Sequence, residues 1–372
     1  MNHIDHTQPS GTRLSEHLYV FQDTCLVYAL IWNRQVVLID FGRGDVLDWL
    51  AAAGLGQVTD VLVTHHHRDQ VQGLGRALEA GARVWVPEVE QDFFTHAEAF
   101  WQAREVYNNY NPRQDRFTGL SDMPIAGLLC DYAQVQFGPW KVTVWPTPGH
   151  TPGSITLLVD VDGRRCAFSG DLIAGPGKLW SLAATQWTYN GCEGIAASLA
   201  SLLTLETMGI KTLYPSHGQA MPQPVEAMRL LSAGLERFLL SREQYTWVRQ
   251  AAAQPYAQIS PHLLQNMHSV ADSYVLLSES GEALLIDFGY DFNLGMPAGF
   301  DRGSRRPWLY SIEALKEHYS VRKIAAVLPT HYHDDHVAGF NLLRRVEGAQ
   351  VWSSEAIADI LREPSRWDLP CL

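Results

Sequence analysis

The chain has 372 residues, 46% of them hydrophobic and 18% charged, which is enough for one large domain or two ordinary ones and excludes an intrinsically disordered polymer. A formal charge of −12 and a pI near 5.6 oppose phosphate backbones and anionic lipid heads, so neither nucleic acid nor a membrane is the expected partner. Five scattered cysteines (Cys25, Cys130, Cys166, Cys192, Cys371) without a C-x-x-C pair argue against a disulfide framework or thiolate cluster; with a polar start and only short apolar runs near it, a cytoplasmic location is expected.

Apolar, β-branched runs at 35–40 and 58–64 predict buried strands, and 45–53 and 71–80 predict helices between and after them. Further strands are predicted at 130–137, 140–145, 154–161 and 165–169, joined by turns such as Gly138-Pro139 and Asp162-Gly163. A helix follows over 192–208, then a short strand ending at Tyr214, then a long helical stretch over 222–249 with Gln254-Pro255 as a joint. Strand runs with interspersed helices predict an α+β fold, two sheets packed face to face and covered by helices.

The chain contains itself. Leu38-Ile39-Asp40-Phe41-Gly42 returns as Leu285-Ile286-Asp287-Phe288-Gly289, 247 residues on. Thr64-His65-His66-His67-Arg68-Asp69-Gln70 returns as Thr330-His331-Tyr332-His333-Asp334-Asp335-His336, 266 on, and Gly81-Ala82-Arg83-Val84-Trp85 as Gly348-Ala349-Gln350-Val351-Trp352, 267 on. The jump between the first two offsets predicts an insertion in the second copy at about 291–308.

His65 and His67 lie two apart at the end of an apolar strand, so on extended backbone both imidazoles face one way and can meet one ion while His66 points elsewhere. Asp69, at the next alternate position, can add a harder oxygen ligand. Three further segments place His or Asp at strand ends beside Gly or Pro: Thr147-Pro148-Gly149-His150-Thr151-Pro152-Gly153-Ser154, Phe168-Ser169-Gly170-Asp171 and Tyr214-Pro215-Ser216-His217-Gly218. In this order H-x-H-x-D, P-G-H-T-P-G-S, S-G-D and S-H-G resemble the metallo-β-lactamase superfamily, especially its glyoxalase-like thioester hydrolases, fully over 16–219 and partially over 269–355.

The resemblance implies a four-layer αββα sandwich over 12–250, followed over 256–372 by the N-terminal half of a second copy. It implies that His65, His67 and His150 bind a first metal, that Asp171 bridges, that Asp69 and His217 belong to a second metal, and that Asp40 lies beneath as a structural carboxylate. Where the family has His after the Asp, this chain has Gln70. A Gln carbonyl is a poorer donor to zinc than imidazole, so the second site is expected to be weakened, with Gln70 either a ligand or a hydrogen-bonding group in an emptied site. Zinc is the expected cofactor, iron and manganese being alternatives, and the expected reaction is hydrolysis of a small ester, thioester, lactone or amide. Zinc lowers the pKa of a bound water to roughly 7, and Asp69 would orient and deprotonate that water if a single metal is bound. A non-catalytic binding protein and an iron-dependent thiol or persulfide oxidoreductase on the same scaffold are the rival readings.

Trp101, Tyr107 and Tyr110 on one side and Trp180, Trp187 and Tyr189 on the other are expected either to wall a substrate cleft or to pack a lid onto the body. The second copy has His331, His333, Asp335 and His336 but no P-G-H, S-G-D or S-H-G equivalents, so no working second site is expected. Half of a two-sheet sandwich leaves an apolar face bare. That face is expected to be covered by the first domain, by a partner chain in a homo-oligomer, or by the remainder of a longer tandem protein.

Overall fold

The computed structural model describes residues 11–103, 118–180, 193–243, 247–291 and 302–367. Tyr107, Tyr110, Trp187, Tyr189, Cys192, Cys371 and most of the insertion expected at 291–308 lie outside the described residues. The chain divides into two compact units, Met1–Thr185 with Leu205–Gly234, and Gln186–Thr204 with Leu235–Leu372.

In the first unit, β1 (Thr12–Arg13), β2 (Leu18–Gln22), β3 (Leu26–Trp32), β4 (Gln35–Ile39), β5 (Gln57–Leu62), β6 (Arg83–Pro87) and β7 (Gly127–Leu129) form a seven-stranded sheet in sequence order. Its first four strands are antiparallel neighbours, and β4 to β7 run parallel. Parallel neighbours require crossovers, supplied by α1 (Val46–Ala52) between β4 and β5, and by α2 (Arg68–Val71) and α3 (Leu74–Glu79) between β5 and β6. A short 3₁₀ turn (Glu88–Glu90) and the helices α4 (Asp92–Thr95) and α5 (Ala97–Ala103) follow β6. The second sheet has the order β12-β11-β10-β9-β8, from β8 (Gln134–Phe137), β9 (Trp140–Pro146), β10 (Ile155–Val161), β11 (Arg164–Phe168) and β12 (Thr212–Tyr214).

Alternation along the strands divides the apolar residues between two cores. Val27, Ala29, Val36, Leu38 and Val61 face Val46, Leu50, Leu74 and Ala77 of the helices, while Tyr28, Leu30, Val37, Ile39 and Leu62 face Val142, Val144, Leu157 and Phe168 of the second sheet. The first sheet is therefore buried on both faces, which is why β4 reads as an unbroken apolar run.

Two elements differ from the sequence-based expectation. The helix expected over 71–80 is broken at Gly73, whose amide donates to the Gly42 carbonyl at 2.9 Å and whose Cα lies against the backbone of Arg43 and Gly44, leaving no room for a Cβ. The strand expected over 130–137 begins only at Gln134, because a turn closed by Ala133 N–H to Cys130 O at 3.0 Å, with Tyr132 at φ 60°, carries the chain from the first sheet to the second. The stretch expected over 222–249 is α7 (Pro224–Ser241), with α8 (Val248–Ala253) after it; α6 (Glu193–Leu205) precedes both.

The second unit carries a six-stranded sheet in sequence order: β13 (Tyr256–Ser260), β14 (Leu263–Asn266), β15 (Ser273–Leu277), β16 (Glu282–Ile286), β17 (Lys323–Leu328) and β18 (Gln350–Val351). The helices α9 (Tyr310–His318), α10 (Asp334–Val337), α11 (Phe340–Glu347) and α12 (Glu355–Arg362) accompany it. The internal repeat is visible in detail. The register irregularity at Val36/Val37 recurs at Ala283/Leu284, and Asp40 (φ 57°) and Asp287 (φ 60°) share the left-handed conformation that β-strand residues avoid.

The faces of the two repeated sheets differ in cover. Leu18, Leu30, Tyr28 and Ile39 are fully buried in the first unit. Their register equivalents in the second, Leu263, Leu276, Tyr274 and Ile286, are half-buried or exposed, with Leu276 at 40%. The opposite face, through Leu264, Val275 and Leu285, is buried. Among the described residues no helix is long and apolar enough to cross a membrane.

Candidate metal centre

Every ligand candidate in the first unit leaves the end of a strand. His65 and His67 follow β5, Asp69 and Gln70 lie in α2 directly behind them, His150 sits in the β9–β10 loop, Asp171 follows β11 and His217 follows β12. The loops are tied to one another by backbone bonds: Ile155 N–H to Thr64 O at 3.1 Å, Ser216 N–H to Gly170 O at 2.8 Å, and Leu26 N–H to Ser216 O at 2.7 Å. Gly218, at φ 107°, passes so close to the Ala174 carbonyl that a side chain there would overlap it, which explains the glycine after His217.

The buried imidazoles of His65, His67 and His150 form a near-orthogonal trio with ring centroids 4.5–4.8 Å apart. Their ring nitrogens face one another, His150 Nε2 lying 2.8 Å from His67 Nδ1. His65 Nε2 is buried and makes no hydrogen bond, an arrangement that otherwise costs a few kcal/mol and that a cation would relieve. Burial, reinforced by the neighbouring His150 and His67, holds His65 well below the ordinary imidazole pKa and keeps it neutral, as a metal ligand must be. Its Nδ1 side is set by Thr64 Oγ1 at 3.0 Å, and Thr64 in turn gives its N–H and hydroxyl to Asp40. Asp40 also accepts from Ser216 Oγ at 2.5 Å, so this one buried carboxyl ties the residues preceding His65 and His217.

Asp171 stands between two groups. Its Oδ2 lies 3.6 Å from His65 Nε2 and 3.5 Å from His150 Nε2, while its Oδ1 is 2.8 Å from His217 Nδ1. Asp69, Asp171 and His217 form a second cluster with ligand atoms close enough to share an ion. In that cluster His217 Nε2 lies 3.2 Å from Asp69 Oδ2 and 3.1 Å from Thr24 O. Burial lowers the His217 pKa, but the hydrogen bond and charge of Asp171, then the charge of Asp69, outweigh it and raise the ring to about 9. Burial and then the Asp171 charge push Asp69 up from the ordinary carboxyl range.

Gln70 sits inside this second cluster. Its Nε2 donates to Asp171 Oδ2 at 3.2 Å and approaches Asp69 Oδ2 at 3.4 Å, while its Oε1 is buried without a hydrogen bond. The amide nitrogen thus lies between the two carboxylates, where its positive dipole end is favoured and the oxygen end would be repelled. The histidine trio with Asp171 fits a metal ion; the second cluster is already supplied with donors by Gln70 and His217.

Around the centre, Trp180 stacks on His217 with ring centroids 4.6 Å apart and an interplanar angle of 16°. Trp101 donates to Gly119 O at 2.8 Å and carries Arg68 over its ring at 6.0 Å. Sequence reasoning missed Thr24, whose hydroxyl donates to Asp69 O at 2.6 Å and whose carbonyl meets His217, and Glu90, buried between two ligand loops. In the second copy His331, His333 and His336 gather with ring centroids 4.5 and 3.9 Å from His331, and His336 Nδ1 lies 2.9 Å from Asp287 Oδ2.

The profile of the Metallo-beta-lactamase superfamily matches residues 21–217 and again 269–369, and the chain belongs to that superfamily. Its fold is accordingly the αββα sandwich of that family, followed by a partial repeat. Among curated relatives, hydroxyacylglutathione hydrolase of Pseudomonas putida is 29% identical over 168 residues, 44% of this chain and 51% of that one. The same enzyme of Pseudomonas fluorescens is 31% identical over 169 residues, 44% of this chain and 52% of that one. The chain thus spans about half the length of these relatives. Among solved structures, the metallo-beta-lactamase MIM-1 of Novosphingobium pentaromativorans superposes with a TM-score of 0.50 at 16% identity, covering 63% of this chain and 90% of that one. That likeness concerns the fold alone.

Proposed function

We propose that this protein is a metal-dependent hydrolase of small ester, thioester, lactone or amide substrates, with one metal, most simply zinc, held by His65, His67, His150 and Asp171. The observation that carries the reading is the buried histidine trio whose ring nitrogens converge beside Asp171. A divalent cation in such a site supplies an acidified water and an electrophilic contact for a carbonyl oxygen. The chain's own contribution is then positional. Asp171 presents a carboxylate oxygen beside the trio, and Asp69, next to Asp171 and His217 and raised by its surroundings, is the group best suited to accept and return a proton. Trp180 forms an apolar wall against His217 and leaves more than half of its own surface open to a substrate.

Gln70 is read as a substitute for the second cation: its amide hydrogens answer the charges of Asp171 and Asp69 that a metal would otherwise answer. Within the broad substrate class, a thioester is favoured by the relatives named hydroxyacylglutathione hydrolase. Residues 12–250 are read as the catalytic domain and 256–372 as a second, related domain, in a cytoplasmic protein. A homo-oligomer would cover the open face of the second sheet. The experiment is a screen of thioester, lactone, β-lactam and phosphodiester substrates with wild type beside His150→Ala. Hydrolysis of a thioester or lactone that His150→Ala loses supports the reading, and the same rate in both proteins for every substrate refutes it.

A further inference from the structure

The two loops that bring His67 and His150 together, after β5 and between β9 and β10, are 83 residues apart in sequence, and their ring nitrogens meet at 2.8 Å. Such a junction needs something to fix one loop against the other. The buried carboxylate of Glu90, 1% exposed at the end of the 3₁₀ turn after β6, lies between them. Its Oε2 accepts the backbone N–H of His66 at 2.7 Å, the peptide that separates His65 from His67. Its Oε1 accepts the Thr151 hydroxyl and, at 3.2 Å, the N–H of Gly153, the residues that follow His150. Gly153 is glycine because a Cβ would run into the Glu90 side chain. Thr151 is itself held by Ser154, through Oγ–Oγ contact at 2.6 Å and Thr151 N–H to Ser154 Oγ at 3.1 Å. The imidazole of His66, turned away from the histidine trio, stacks on Phe93 at 4.3 Å and packs the same corner.

We propose that Glu90 is a positioning residue that fixes the His65–His67 loop against the His150 loop and so sets the geometry of the metal-binding trio. It does between these loops what Asp40 does between the residues preceding His65 and His217. The internal repeat gives an independent comparison. Asp40 returns as Asp287 with its hydrogen bonds to Thr330 intact, whereas the 267-residue offset puts Ile357 at the position of Glu90. The inference rests on the metal centre proposed above. Residues that orient metal ligands without touching the metal typically contribute about 10- to 100-fold to affinity.

The test is made on the full chain, with Glu90→Gln and Thr151→Val beside wild type and His150→Ala. Zinc affinity is measured by competition with a chromophoric chelator, the visible spectrum of the cobalt(II) form is recorded, and the metal-free melting temperature is followed. Glu90→Gln is expected to weaken zinc binding about 10- to 100-fold and to alter the cobalt bands. Thr151→Val, which keeps the carboxylate and removes one of its donors, is expected to weaken binding severalfold, and it reads the same contact if Glu90→Gln does not fold. Wild-type zinc affinity and cobalt spectrum in both variants, with His150→Ala deficient, would overturn the role of Glu90 while leaving the metal centre standing. A lower metal-free melting temperature without any change in affinity would also overturn it, as a purely structural tie. A wild type that binds no zinc would remove both.

Discussion

Gln70 Nε2 lies 3.2 Å from Asp171 Oδ2, the carboxylate that also faces His65 and His150. An amide fills the place where the family resemblance puts a histidine, and its buried Oε1 finds no hydrogen-bond donor. Restoring an imidazole should therefore complete the second cluster of Asp69, Asp171 and His217. Gln70→His is expected to raise tightly bound zinc from one to two per chain, measured by elemental analysis after dialysis. An unchanged content of one would show that the cluster is closed by more than the Gln70 amide.

Trp180 stacks on His217 and remains 55% exposed, a large apolar surface beside that histidine. Replacing it with alanine should cost substrate contact and leave the histidine trio intact. Trp180→Ala is expected to raise KM about fivefold, equivalent to ~1 kcal/mol of lost contact, with metal content unchanged. Steady-state kinetics on the best substrate of the screen measure it, and a fall in kcat alone would assign the indole a different role.

On the first unit's surface, Asp162 takes the Ser15 hydroxyl at 2.5 Å, His17 Nδ1 at 2.6 Å and the His17 N–H at 3.0 Å. Burial raises this carboxyl, but the hydrogen bonds from Ser15 and His17 outweigh it and bring it from 3.8 down to about 2. A carboxyl depressed in the folded state stabilises above its unfolded pKa and loses that contribution as pH falls through the folded one. The contribution is thus full above about pH 4 and fades toward pH 2. Because the pair is partly open to solvent, Asp162→Asn should cost only ~1 kcal/mol at pH 6, narrowing toward pH 2.5, as read from urea midpoints. A gap independent of pH would contradict the assignment.

In the second copy, His336 Nδ1 lies 2.9 Å from Asp287 Oδ2. The double substitution His331→Ala with His333→Ala is expected to leave the hydrolytic rate within about twofold of wild type, a change below ~0.5 kcal/mol in barrier. Loss of most activity in a folded double variant would show that the second copy completes the first site.

The clustered ligand candidates were readable because each element is local: a histidine pair at alternate positions after β5, and Gly- and Pro-flanked His or Asp at three later strand ends. The strands themselves were likewise readable, since both copies carry the same apolar runs. Glu90 was not, because its partners lie 24 and 61 residues away and Glu88-Val89-Glu90 has the pattern of a solvated acidic turn. The break at Gly73 was hidden for a similar reason: the helical periodicity runs through it, and only the approach of Gly42 and Arg43 ends α2. The contrast between Leu30, fully buried, and Leu276, 40% exposed, also has no local signature, since the two leucines occupy the same position in the same strand pattern.

The most direct test of the account is the zinc content of purified full-length protein after exhaustive dialysis, compared with His65→Ala, His67→Ala and His150→Ala. One tightly bound zinc per chain in wild type, and less than about a tenth of that in each variant, is the predicted result, three imidazoles being the minimum such a centre tolerates. Retention of zinc by the variants, or none in wild type, would contradict it.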